Sequence, residues 1–175
     1  LLRVIPWIIL YVFLMIGLLT FDDYGVSVDE RMEREYSMTV FRYFLTKLPF
    51  LSVFGAEETA AIQQTYADFP DRLRGHMLQW PATIIEFLRG DRTDSRNIFL
   101  MRHLLNFLYY FAAVVCFYKT LQKRFKNPYV PLIGLIFLIL SPRYYGDSFF
   151  NNKDLIFCSF FIISLACFVR VVYHP

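Results

Sequence analysis

The sequence has little charge and few of the residues that build linkers. Of its 175 residues, 19% are charged, seven are glycine and eight are proline. An average soluble protein is roughly 25% charged, and disordered chains are enriched in proline and charged residues. The composition therefore excludes a disordered chain, a collagen-like chain and an acidic solvating tail.

Cysteine is scarce, and the positive charge is scattered. Cys116, Cys158 and Cys167 lie within apolar runs and lack the spacing of a CxxC metal motif, so we interpret them as small hydrophobic residues. The net charge is only +3, and no basic stretch interleaved with aromatic residues lies outside an apolar segment. We therefore do not expect nucleic acid as a partner.

Large apolar side chains are what the sequence has in excess. The chain is 57% hydrophobic, with 20 phenylalanines, 12 tyrosines and a mean hydropathy of +0.41. One soluble core of about 150 residues could not bury so many of them. The composition therefore predicts a membrane protein. We expect it to be all-α, with a single membrane domain over residues 1–175 that is part of a longer chain.

Four apolar segments are predicted to cross the membrane. They lie at about residues 4–21, 97–118, 128–141 and 155–173. The third segment is short, about 20 Å as a helix, against roughly 30 Å of hydrocarbon. A cleaved signal peptide is the alternative for the first, but Asp22 and Asp23 follow it where a small-residue cleavage site is expected.

Charge in the connecting loops predicts the orientation. The loop at 119–127 carries four Lys or Arg and no acid, whereas residues 21–96 carry thirteen acids against nine Lys or Arg. Positive loops face the cytoplasm, so we expect loops 22–96 and 141–154 on the extracytoplasmic side. Within the long first loop, apolar residues at helical spacing predict interfacial helices over 36–54 and 81–89.

The first polar cluster follows the first span. Ser27 and Glu30 have the spacing of a capping box, a purely structural role. Asp29 and Glu33 would share a helical face and repel unless a cation or substrate lies between them. Asp29 is therefore a candidate functional carboxylate, and Glu33 is a further candidate polar residue.

The second polar cluster is the loop at 141–154, which is richer in charge than a connector needs to be. Its candidate polar residues are Arg143, Asp147, Asn151, Asn152, Lys153 and Asp154. Arg143 and Lys153 suit a phosphate, the first by its guanidinium fork and the second as a point charge. The structural alternative is that Asn152 or Asp154 caps the fourth span and that Pro142 ends the third.

The third polar cluster lies inside the second span. Arg102 and Asn106 share a helical face, and His103 is adjacent. Ionisable groups within a span usually face a cavity or a partner. The alternative is that Arg102 and His103 extend to the outer interface.

Together these motifs resemble the start of a GT-C membrane glycosyltransferase, in the broad family of protein O-mannosyltransferases and bacterial lipid-linked sugar transferases. The resemblance rests on Val28-Asp29-Glu30 after the first span, Arg102-His103-Leu104-Leu105-Asn106 at the start of the second, and the 141–154 loop. That loop is the most specific part, with its Ser141-Pro142-Arg143 opening and Asn151-Asn152-Lys153-Asp154 close.

The resemblance implies inverting transfer of a sugar from a polyprenyl-phosphate donor to an unidentified acceptor on the outer face of a bacterial plasma membrane. It implies catalytic roles for Asp29, Glu30 and Asp154. Arg143, Lys153 and Arg102 would bind the donor phosphate. A divalent cation, Mg or Mn, would be held by Asp29 and Asp154 if the enzyme uses one, although the loop lacks a tight Asp-x-Glu pair. We also expect Asp29, Asp154 and Arg143 to meet in one polar recess.

Two other function classes stay open at this point. One is a noncatalytic membrane subunit or transporter fragment, in which Arg102 lines a path. The other is a small lipid-binding module whose interfacial helices sense the membrane. Polar groups concentrated in the two outer loops favour the enzyme, because a transporter should place its polar groups near the middle of the membrane.

Overall fold

The computed structural model describes residues 4–48, 53–72, 75–90 and 95–173. All regular structure in these residues is helical. In chain order the α-helices are α1 (Ile5–Thr20), α2 (Val28–Thr46), α3 (Ala56–Ala67), α4 (Trp80–Arg89), α5 (Ser95–Arg124), α6 (Tyr129–Ile139), α7 (Pro142–Phe150) and α8 (Asp154–Tyr173), and a short 3₁₀ helix, His76–Gln79, precedes α4.

The chain forms two compact units. The first unit comprises Leu1–Gly25 and Ser95–Pro175, and the second comprises Val26–Asp94. The sequence predicts one membrane domain over residues 1–175, whereas the contacts divide the chain in two. The predicted spans belong to the first unit, and most of the predicted long loop belongs to the second.

Each predicted span coincides with a helix of the first unit, but the helices differ in length. α5 and the Asp154–Val172 part of α8 are long and apolar enough to cross a membrane. α6 and α7 together would make a third crossing, although they are bent by 57° at the break between them. α1 is apolar but has only 16 residues, about 24 Å of helix. The described residues thus contain two or three candidate membrane-spanning helices.

α5 is the central helix of the first unit and packs against α1, α6, α7 and α8. Tyr110 donates a hydrogen bond from its hydroxyl to the carbonyl of Leu138 at 2.9 Å, near the end of α6. The rings of Tyr109 and Phe160 lie 5.2 Å apart, and further along both helices Lys123 and Arg170 line one groove, so α8 runs parallel to α5. The buried apolar core consists of Leu10, Phe13, Phe107, Tyr110, Val114, Tyr118, Leu135, Phe149 and Leu155.

These helix directions give the first unit two ends of different chemistry. The polar end contains residues 20–25, 95–106 and 141–154. The basic end contains residues 4–8, 117–129 and 166–172. The two ends correspond to the opposite membrane faces predicted from the loop charges.

At Gly17, α1 packs directly against the Phe107 ring of α5. A methyl group at this position would overlap the ring of Phe107, which is itself fully buried. Small residues allow such close approach between helices in membranes. The glycine is therefore required by packing.

We expect Gly17→Ala to destabilise the protein by about 1–3 kcal/mol, the usual cost of overpacking a core. A thermal melt of the purified protein in detergent should show a lower Tm. Gly146→Ala is the matched control, since a methyl group there has nothing within 4 Å. Equal melting temperatures for the two variants would contradict this account of the α1 and α5 contact.

The second unit is built on α2, whose start follows the sequence prediction. The Ser27 side chain accepts from the backbone N–H of Glu30 at 3.3 Å, and the Glu30 carboxylate accepts from the backbone N–H of Ser27 at 2.8 Å. The predicted capping box is confirmed. α2 covers residues 36–46 of the interfacial helix predicted over 36–54, and residues 49–52 of that prediction lie outside the described residues.

α4 also matches its prediction, with proline at its start and Arg89 in its last turn. It ends at Gly90, whose φ of 65° is left-handed and suits glycine. α2 packs against α3, the 3₁₀ helix and α4.

Candidate functional site

The segment between the last two apolar helices is helical rather than a loop. Pro142 occupies the first turn of α7, where its missing N–H costs no hydrogen bond. The predicted role of Pro142 in ending the third span fits the structure, because α6 ends at Ile139, yet the same proline also begins a new helix. The loop predicted over 141–154 therefore contains the nine-residue helix α7.

α7 is fixed to the rest of the polar end by aromatic stacking and one hydroxyl pair. The Tyr24 and Phe149 rings stack at 4.3 Å with 19° between their planes. The hydroxyls of Thr20 and Tyr145 lie 2.8 Å apart. Burial raises the pKa of Tyr24, and nearby Tyr145 and Asp23 raise it further, so its phenol stays protonated at neutral pH.

The polar residues of α5 are buried at this end. Arg102 is 2% exposed, His103 is 0% exposed and Asn106 is 4% exposed. Asn106 donates from its side-chain amide to the carbonyl of Phe149 at 2.9 Å, which ties α5 to α7. The alternative in which Arg102 and His103 extend to the outer interface does not fit this burial.

Arg143 is the one cation of α7, and it is exposed. Its side chain is 90% exposed, and its Nε lies 3.7 Å from a carboxylate oxygen of Asp147, whose side chain is 23% exposed. An exposed ion pair of this kind contributes at most about 1 kcal/mol, so a phosphate could take the place of Asp147 at little cost.

The residues at the start of α8 divide into capping, buried and exposed groups. The side-chain oxygen of Asn151 accepts from the backbone N–H of Asp154 at 2.9 Å, so Asn151 supplies the cap that was expected from Asn152 or Asp154. Asn152 is 4% exposed, and its side-chain nitrogen has no hydrogen-bond partner among the described residues. Lys153 and Asp154 are both exposed.

The acidic residues at the start of α2 differ in how exposed their side chains are. Asp29 is exposed, whereas Glu30 is fully buried in the capping box and Glu33 is 7% exposed. An acceptor molecule could therefore reach Asp29 but not Glu30. This geometry fits the structural role of Glu30 and leaves Asp29 as the accessible carboxylate at the start of α2.

Glu33 belongs to a buried polar cluster that the sequence analysis did not identify. Its carboxylate oxygen accepts from the side-chain amide of Gln79 at 3.0 Å and lies 3.4 Å from Nδ1 of His76. The other ring nitrogen of His76 is 3.2 Å from the carbonyl oxygen of Asp71. Both nitrogens of this buried histidine therefore face oxygen atoms.

Further polar contacts continue this cluster between α2 and α4. The hydroxyls of Ser37 and Thr83, both fully buried, lie 2.7 Å apart. Arg34 contacts one carboxylate oxygen of Glu86 through two guanidinium nitrogens, at 2.6 Å and 2.8 Å. The sequence contained a signal for this cluster. Polar residues recur at helical spacing at positions 30, 33 and 37 and again at 76, 79, 83 and 86, so each series places its polar side chains on one helical face.

Next to this cluster the second unit contains an open cavity of about 480 Å³. It is lined by Arg34, Met38, Arg42, Val53, Phe54, Glu58, Glu86, Phe87 and Gly90. Arginine and glutamate side chains are both present, so neither sign of charge dominates its wall.

The predicted site residues thus lie in both units, and each unit brings some of them together. Arg102, His103, Asn106, Arg143, Asp147 and residues 151–154 share the polar end of the first unit. Asp29, Glu30 and Glu33 share the first turns of α2. The shared recess for Asp29, Asp154 and Arg143 stays a prediction.

A group of three or more His, Cys, Asp or Glu side chains able to hold a metal ion does not occur among the described residues. The cation predicted for Asp29 and Asp154 stays a prediction as well. Comparison of the chain with protein-family models, with curated proteins and with solved structures finds no match.

Proposed function

We propose that the protein is a membrane glycosyltransferase of the GT-C kind, which moves a sugar from a polyprenyl-phosphate donor to an acceptor outside the cytoplasm. In this proposal all four apolar segments of the first unit cross or enter the bilayer, and the polar end faces outward. The proposal rests on the motif resemblance together with the chemistry of the polar end.

The observation that carries the proposal is the exposed Arg143 on a short helix at the end of the membrane bundle. A lipid-linked donor presents its phosphate at the membrane surface, and α7 lies at the end of the bundle. A guanidinium fork can form two hydrogen bonds to a phosphate, and the weak pair with Asp147 leaves it available. We assign the exposed Lys153 as the second group that contacts the phosphate. Arg102 is buried, so it acts on the phosphate only through its charge and not by direct contact.

Asp29 is the proposed general base. It would take the proton of the acceptor hydroxyl while the acceptor oxygen forms a bond to C1 of the sugar. The bond between C1 and the phosphate oxygen breaks on the opposite face, and polyprenyl phosphate leaves with the electron pair. A base near the nucleophile and positive charge near the departing phosphate are what such a transfer needs.

Asp154 is exposed at the start of α8 and is assigned a second acidic role toward the acceptor. Glu30 supports Asp29 indirectly, because its capping box fixes the start of α2. The proposal therefore separates a reacting carboxylate from a neighbouring structural one.

The orientation has its own test. In a variant without its native cysteines, Thr65→Cys should react with a membrane-impermeant maleimide added to intact cells, and Asn127→Cys should react only after the cells are opened. Both positions are exposed, so a lack of reaction reports the membrane side. Labelling of Asn127→Cys in intact cells would show that the orientation is reversed.

The proposed activity is tested by donor turnover. The full-length protein, purified in detergent, should release polyprenyl phosphate from a polyprenyl-phosphate sugar when hydroxyl-bearing acceptors are supplied. A parallel reaction with a chelator tests the cation. Donor binding without turnover for any acceptor class would favour the noncatalytic subunit or transporter.

A further inference from the structure

A second site lies at the basic end of the first unit, opposite the polar end that contains Arg143, Lys153 and Asp154. It is a groove of about 220 Å³ between the last turns of α5 and α8. Lys119 and Lys123 of α5 and Arg170 of α8 contribute three cations to its wall. Ligand pockets usually measure about 300–1,000 Å³, so this groove fits a head group rather than a whole sugar-lipid.

The positive charge of the groove has no acidic counterpart nearby in the sequence. Its lining contains no Asp or Glu. The sequence has no acid between residues 95 and 146, and none after Asp154. All four acids of the first unit, Asp22, Asp23, Asp147 and Asp154, belong to the polar end or border it. An anion is therefore the complementary ligand.

Aromatic residues place the groove at the depth of the lipid head groups. Trp7 meets Tyr118 edge to face at 6.2 Å, and the ammonium of Lys119 lies 5.7 Å from the centre of the Trp7 ring. Tryptophan and tyrosine favour the interface between hydrocarbon and water. The rest of the groove wall is mainly apolar and includes Cys116, Ala166 and Val169.

We propose that this groove binds the head group of an anionic phospholipid, with its phosphate between Lys123 and Arg170 and an acyl chain along the apolar faces of α5 and α8. Basic pockets between membrane helices on the cytoplasmic side recognise such head groups. The apolar wall favours a lipid over free phosphate, because phosphate alone would leave that wall without a partner. The site is independent of the proposed glycosyl transfer.

The test measures which lipids remain with the purified full-length protein. After reconstitution with equal amounts of phosphatidylglycerol and phosphatidylcholine, the wild type should retain mainly phosphatidylglycerol. Lys123→Gln with Arg170→Gln should lower this preference by roughly 25-fold, about fivefold per cation, which corresponds to about 1 kcal/mol each. Arg124→Gln with Lys126→Gln is the matched control.

The control removes the same charge from the same end but from outside the groove, so its lipid preference should stay near the wild-type value. If both double variants lost the same lipid preference, the preference would come from general surface attraction, and the proposed site would be wrong. A wild type without lipid preference would overturn it too. Complete displacement of the lipid by inorganic phosphate would also overturn the proposal, because the groove would then be a site for the free ion.

A second measurement does not depend on removing charge. Cys167 is exposed on the groove wall, so in a full-length variant in which every other cysteine is replaced by serine it is a single reporter thiol. Maleimide should label it more slowly in phosphatidylglycerol nanodiscs than in phosphatidylcholine nanodiscs. Equal labelling rates would show that no anionic lipid occupies the groove.

Discussion

Asp29→Asn should lower the donor turnover number of the full-length protein by about 10²-fold or more, the scale of a lost general base. Asparagine keeps the size of the side chain and much of its hydrogen bonding but cannot accept the proton of the acceptor hydroxyl. Because Asp29 is exposed, the change leaves no cavity in the protein. Release of polyprenyl phosphate, measured at saturating donor, gives the result.

Two variants on the same helix control this experiment. Glu35→Gln removes another exposed acid, six residues further along α2, and should leave turnover unchanged. Glu30→Gln should have a small effect, because glutamine can serve the same capping position. An Asp29→Asn protein that turns over donor at the wild-type rate would end the catalytic assignment of Asp29.

The melting temperature must be compared as well. Asp29 lies in the first turn of α2, where a negative charge contributes about 0.3–1 kcal/mol through the helix dipole. Loss of that contribution lowers stability slightly but cannot account for a 10²-fold loss of turnover at a temperature where the variant is folded.

Local signals in the sequence account for most of the helices. An apolar run predicts each of α1, α5, α6 and α8, and a capping box predicts where α2 begins. α7 was expected to be a loop because its polar residues outnumber its aliphatic ones. It forms a helix because Pro142 starts it and because Phe149 can bury its ring between Tyr24 and Phe107.

The polar clusters were harder to predict, because they depend on contacts between distant residues. Gln79 binds Glu33 across 46 positions of the chain, and no local pattern around either residue specifies the other. Exposure was equally inaccessible to sequence reasoning. Asp29 and Glu30 are neighbours with similar chemistry, yet only the turn geometry of α2 determines that one faces solvent and the other is buried.

Arg143→Ala should weaken donor binding by roughly 10- to 150-fold, which corresponds to about 1.5–3 kcal/mol for a lost hydrogen bond to a charged group. Binding of a fluorescent polyprenyl-phosphate sugar to the purified protein measures the loss. Arg143→Lys keeps the charge but not the guanidinium fork, so its affinity should lie between the two. Arg124→Ala, at the basic end, is the matched control and should bind donor normally.

Asp147→Asn distinguishes phosphate binding from a structural role of the same arginine. If Arg143 mattered only through its pair with Asp147, removal of either partner would cost the same affinity. If Arg143 binds the donor phosphate, Asp147 competes with that phosphate across 3.7 Å, and Asp147→Asn should bind donor as well as the wild type or more tightly. An equal loss of donor affinity in Arg143→Ala and Asp147→Asn would therefore show that the ion pair stabilises α7 and that Arg143 does not bind the donor.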